Sequence, residues 1–107
     1  MVTQITEALK KALAETIDEG LLMLGKNGRD VVYFRLKQSY ALKKEEVPNN
    51  PEIFVNCLRE IFGSGAEVIE RAVIRKLYDK LGIEFKEKKD FGFMEYLSEA
   101  RKILEEC

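Results

Sequence analysis

The residue types that most often carry enzyme chemistry are scarce in this chain. Histidine is absent, so no side chain offers a general base that titrates near neutrality. The two cysteines, Cys57 and Cys107, have no neighbouring base, and their spacing matches neither a metal-ligand cluster nor a disulfide framework. Carboxylates are plentiful, but they fall at expected helix N-termini or in stripes of alternating charge, and no Asp-rich calcium loop is present. The expectation is a protein that is not an enzyme, with no catalytic residues, no cofactor and no metal.

Two stretches still place polar groups in suggestive order. In FGSGAE, Gly63, Ser64 and Gly65 precede a helix whose free amides can hold an anion. No Lys follows, however, and Glu67 and Glu70 put negative charge where a phosphate would sit. Ser64 lies three residues before Glu67, the spacing of a capping box, which accounts for the same residues without a ligand. The second stretch is basic. Lys26 to Glu46 carries Lys26, Arg29, Arg35, Lys37, Lys43 and Lys44 against Asp30, Glu45 and Glu46, whereas Asp90 to Cys107 is acidic. Arg29, Arg35, Lys37, Lys43 and Lys44 are therefore the candidate patch for a partner or for nucleic acid.

These groups must be positioned by helices. Residues 3 to 24 repeat apolar residues at helical spacing (Ile5, Leu9, Leu13, Ile17, Leu21 and Leu24), with Thr3 or Thr6 as cap. Gly25-Lys26-Asn27-Gly28 breaks that helix, and Asn27 is expected to cap a second one running to about Tyr40. Its buried side is Val32, Tyr33, Leu36 and Tyr40, broadened by Val31 and Phe34. Pro48 and Asn49-Asn50 end a polar connection, after which Asn50 caps a third helix with Pro51 at its first position. Gly63 and Gly82 bound a fourth helix, predicted to be long and central because Ala66, Ile69, Ala72, Val73, Leu77 and Leu81 form its stripe, widened by Val68, Ile74 and Tyr78. Glu67, Arg71, Arg75 and Asp79 read as a self-paired solvated ladder on its outer face. Ile83 to Lys89 is an extended piece with no strand partner, and Asp90 is expected to cap a fifth helix built on Phe93, Leu97, Ala100 and Leu104.

The fold class that follows is all-α, a compact five-helix bundle with a long central fourth helix, in one domain over residues 1–107. A net charge of −1 removes any global electrostatic argument for nucleic acid or an anionic membrane. No signal-peptide pattern or membrane-spanning run is present, and the unpaired cysteines fit a reducing cytoplasm. The four tyrosines lie on or beside apolar faces and are expected to be core residues with hydrogen-bonded tips.

Gly28 to Glu84, through VVYFRLKQSYAL, KKEEVPNNPEIF and IFGSGAEVIERAVIRKLYDKLG, resembles the small archaeal Nitrosopumilus output domain type. The resemblance implies an archaeal, cytoplasmic helical module associated with signal transduction, and it supplies no catalytic or ligand-binding residues. A non-enzymatic protein that works through a protein partner or self-association is the leading expectation. The alternative is a nucleic-acid-binding module that uses residues 29–44.

Overall fold

The computed structural model describes residues 2–106, with side chains from Glu7 onward, and among the described residues the regular structure is all helical, with no strand. The side chains of the expected caps Thr3 and Thr6 and of the inward Ile5, and all of Cys107, lie outside what is described. The elements are α1 (Val2–Leu21), α2 (Gly25–Tyr40), α3 (Pro51–Phe62), α4 (Ala66–Leu81) and α5 (Phe93–Glu106). Single 3-10 turns at Leu22–Leu24 and Gly63–Gly65 join α1 to α2 and α3 to α4, and a longer one occupies Lys44–Asn49. Among the described residues, helical structure therefore runs on through 2–40, 44–49, 51–81 and 93–106, giving four runs where five separate rods were expected.

Leu9, Ala12, Leu13, Ile17 and Leu21 are buried along one side of α1, and α1 packs most extensively against α4. The close approach is made at Gly20, where a Cβ would stand 2.5 Å from Cγ2 of Val73. α4 also contacts α3 and α5, so it is central; Ile74 and Tyr78 widen its buried stripe as expected, but Val68 is 63% exposed and lies outside it. The helix is not the longest element: α4 has 16 residues and α1 has 20.

Glycine C-caps appear where the sequence places them. Gly82 has φ 72°, its N–H donates to the Asp79 carbonyl, and the Ile83 N–H donates to the Tyr78 carbonyl at 2.9 Å. That pair is the Schellman arrangement, and the positive φ is what requires glycine. Gly63 closes α3 with φ 57° as well, but its ψ of −132° puts it outside the left-handed helical region that Gly82 occupies. The side-chain caps differ from expectation. α2 begins at Gly25, so Asn27 lies inside it. Ser64 makes no cap to α4, because the 3-10 turn leads the backbone into the helix and the Ala66 N–H already bonds the Gly63 carbonyl. Asp90 takes φ 69° before α5 instead of capping it, and Glu95 Oε1 accepts from the Gly92 N–H at 2.8 Å. Asn50 does precede α3, but its side chain donates to the Glu46 carbonyl while its own carbonyl accepts the Phe54 N–H.

The ladder on α4 also pairs differently. Arg71 is bridged to Glu87, and the Arg75 guanidinium lies 5.4 Å from the Phe85 ring centroid. These charges hold segment 83–91 against the bundle instead of pairing along the helix. Phe85 seats edge-on to Tyr78 at 5.5 Å, and the Tyr96 hydroxyl accepts the Lys88 N–H at 2.8 Å. Tyr78 donates to the Tyr96 carbonyl at 2.7 Å, as expected of a core tyrosine with a bonded tip.

Candidate interaction face on the second helix

The five cations singled out from the sequence separate into distinct settings. Arg29 and Lys44 converge on Asp18 of α1, each with a nitrogen 3.4 Å from that carboxylate. Tyr33 donates to the same Asp18 at 3.2 Å, and the Lys44 ammonium stands 5.0 Å from the Tyr33 ring centroid. Burial, reinforced by the Asp18 charge and hydrogen bond, pushes the Tyr33 hydroxyl well above the usual tyrosine range. Arg29, 22% exposed, thus helps to dock α2 onto α1, whereas Lys44, 58% exposed, touches Asp18 while still facing the surface. Arg35 lies on the α3 side of α2, where its charge opposes the burial-driven rise in the Cys57 thiol. Arg35 and Lys37, two residues apart on α2, fall on different faces of the helix.

What remains together is Lys37, Lys43 and Lys44. They line an open cleft of about 540 Å³ with Tyr33, Phe34, Asp30 and Glu45. Phe34 is 65% exposed and Val31, one turn earlier, is 54% exposed. The sequence reading placed both at the margin of the buried side. The signal against that lay in the register: Val32 and Leu36 are fully buried, and Phe34, two residues from each, falls on the opposite face.

Other surfaces offer less. The inward stripe of α1 from Leu9 to Leu21 and Phe93, Tyr96, Leu97 and Ala100 of α5 are core residues. α4, which a helix-turn-helix reading would insert in a groove, buries seven residues against its neighbours. A groove of about 550 Å³ runs between α1 and α5 past Pro48 and Pro51, and the charged residues on its walls are Lys10, Glu95 and Arg101. Cys57 is fully buried in α3, and burial pushes its thiol up, so it behaves as a small core residue.

The sequence reading also missed Glu70. It was placed with Glu67 at an exposed helix start, but it is buried to 5% exposure between α3 and α4. Its position four residues from both Ala66 and Ile74, each buried, is the signal that identifies it. Among the described residues, no helix is long and apolar enough to cross a membrane. Compared with known proteins, the chain matches no family model, no curated protein and no solved structure.

Proposed function

We propose that this chain is a small cytoplasmic, non-enzymatic module that works by protein–protein contact, its helices arranged as a five-helix bundle around α4. The observation that carries the reading is Phe34, a large ring on the outer face of α2, exposed beside Val31 and rimmed by Lys37, Lys43 and Lys44. An aromatic anchor within a polar rim is the anatomy of an interface hot spot. Burying that ring would remove roughly 1.5–3 kcal/mol of apolar exposure, which its present position forgoes. The lysine rim suits an acidic partner. The resemblance of residues 28–84 to an output domain supports a signalling role of the same kind.

The test is a photo-crosslinking side chain placed at position 34 in the full chain. A discrete protein adduct, lost when Lys37, Lys43 and Lys44 are changed to Glu, is the expected result. Absence of any adduct, or one that persists unchanged in the triple variant, overturns the reading.

The second reading, single-stranded nucleic acid, is favoured by the same aromatic and lysine groups, since bases stack on exposed rings beside backbone-tracking cations. Against it, Asp18 engages two of the five candidate cations, and Asp30 lines the cleft. Salt-dependent retention of an oligonucleotide, abolished by the triple variant, would select it over the protein reading.

A further inference from the structure

The most unusual group in the bundle is Glu70. Its Oε2 is shut off from solvent and has no hydrogen-bond donor among the described residues. Arg59 approaches this oxygen with Nε at 3.4 Å, an ion-pair distance outside hydrogen-bond geometry. The guanidinium therefore supplies charge but leaves the oxygen's lone pairs unfilled, an expensive state for a carboxylate held away from water. Arg59's own side chain is 58% exposed, so it can swing outward without unpacking the core.

Glu70 lines a small cavity of about 50 Å³ between α3, α4 and the turn that starts α5. That space suits one or two groups of water size, given a water's share of about 30 Å³. Its other walls include Phe91, Phe93 and Tyr96, with Glu67 and Arg71 also present. The charged lining residues, Arg59 and Arg71 against Glu67 and Glu70, sum to zero. Aromatic faces next to an incompletely paired carboxylate favour a cation. Lys88 places its Nζ 5.2 Å from the Phe91 ring centroid while bridging Glu99, so a ring and a carboxylate already hold one ammonium group at this corner. A neighbouring groove of about 330 Å³ shares Arg59, Gly92 and Phe93 with the cavity and adds Glu52, Val55 and Met94.

We propose that the Glu70 cavity is a binding site for a primary alkylammonium group, whose head displaces Arg59 from the buried carboxylate and whose chain lies in the adjoining groove. An ammonium brings three donors as well as the charge, where Arg59 supplies the charge alone. A primary head carries N–H donors for the unfilled lone pairs of Glu70, which a tetramethylated one lacks. The ligand is either a free alkylamine or the lysine side chain of a partner, and both present the same head group. The site is separate from the α2 face and does not depend on it.

The test is an NMR titration of the full chain with n-butylammonium chloride, following the Gly92 amide, the Arg59 Nε–H and the Glu70 carboxyl carbon. A saturable shift of all three is expected, with no such response to tetramethylammonium chloride at matched ionic strength. Glu70→Gln, which keeps the shape and removes the charge, is expected to weaken binding at least tenfold. Arg59→Met removes the competing guanidinium and is expected to tighten binding, which keeps the proposal testable should Glu70→Gln fail to fold. A lysine-containing peptide that binds the same site tenfold more tightly than butylammonium identifies a protein-borne lysine, and equal or weaker binding identifies a free amine. No saturable shift, an equal response to tetramethylammonium, or binding unchanged in either variant overturns the site.

Discussion

Individual residues carry the clearest departures from what helical fragments alone would do. Glu70 has its carboxyl pushed above the ordinary 4.5, chiefly by burial and only partly opposed by Arg59. In the folded state it therefore holds its proton more tightly than in the unfolded state, and this contribution to stability falls as pH rises from about 4.5 through the raised value. Glu99 is the opposite case. The hydrogen bond and charge of Lys88 chiefly draw it below 4.5, so its contribution is present above that value and is lost as pH falls through the depressed one. Urea unfolding across pH 3 to 8 should show the Glu70→Gln variant lacking the decline above about 4.5, and Glu99→Gln lacking the loss below it. Slopes identical to the parent in both variants would refute these assignments. Backbone strain offers a second check at this scale. Ala41 sits at φ 52°, a left-handed conformation that costs a non-glycine residue about 1–2 kcal/mol. Ala41→Gly should raise stability by about 0.5 kcal/mol, since glycine's greater freedom in the unfolded chain offsets part of the relief; a lower unfolding midpoint would count against it. Legibility at this scale divides by mechanism. Gly63 and Gly82 were readable because a positive φ allows few alternatives. Ser64, Asn27 and Asp90 were not, because a cap is only one way to satisfy a helix's first amides, and 3-10 turns or the Glu95 carboxylate do so here.

At the level of elements, the pairing of α1 with α4 is the organising contact, and Gly20 and Val73 set its closeness. The periodicity of α1 and α4 announces two apolar faces, yet nothing in a stripe names its partner. Residues 13–21 and 66–77 are brought together only by the return of the chain through α2 and α3. Alanine at position 20 would ordinarily favour a helix by up to about 1 kcal/mol over glycine. Here its methyl would meet Val73 Cγ2 at 2.5 Å, and Val73 is fully buried and stiff at χ1, so it cannot turn aside. Gly20→Ala should therefore destabilise the fold by about 1–3 kcal/mol. Combining it with Val73→Ala, which removes the obstructing methyl groups, should cost less than the sum of the two changes, as a double-mutant cycle on unfolding free energies would show. Strict additivity would mean that the helices cross elsewhere. The α4 ladder carries the same lesson. Its fourfold spacing implied self-pairing, but Arg71 and Arg75 reach segment 83–91, whose rings and charges cover α4 and α5.

For the whole molecule, the helical class and nearly every core position followed from hydrophobic periodicity, whereas the surface did not, because a stripe defines the inside and leaves the outside as remainder. Phe34 shows the consequence: counted by composition it belongs to the core, and counted by register it belongs to solvent. The overall charge of −1 likewise hides a local arrangement in which Asp18 engages the mostly buried Arg29, while Lys37, Lys43 and the exposed Lys44 line the cleft. This separation of structural from exposed cations yields a discriminating prediction. Phe34→Ser and Lys37→Glu alter no core contact, so each should move the unfolding free energy by no more than about 0.5 kcal/mol. Both should weaken partner capture at position 31, read with a crosslinker moved to that site. Arg29→Ala should leave capture intact, since its guanidinium is spent on Asp18 and Asp30. If the exposed face binds through its lysine rim, raising salt from 50 to 200 mM should weaken capture in the parent and have little effect once Lys37, Lys43 and Lys44 are Glu, because surface charges act within a Debye length of about 10 Å at 0.1 M. Salt-independent capture in the parent would instead leave Phe34 and Val31 as an apolar anchor acting without electrostatic selection.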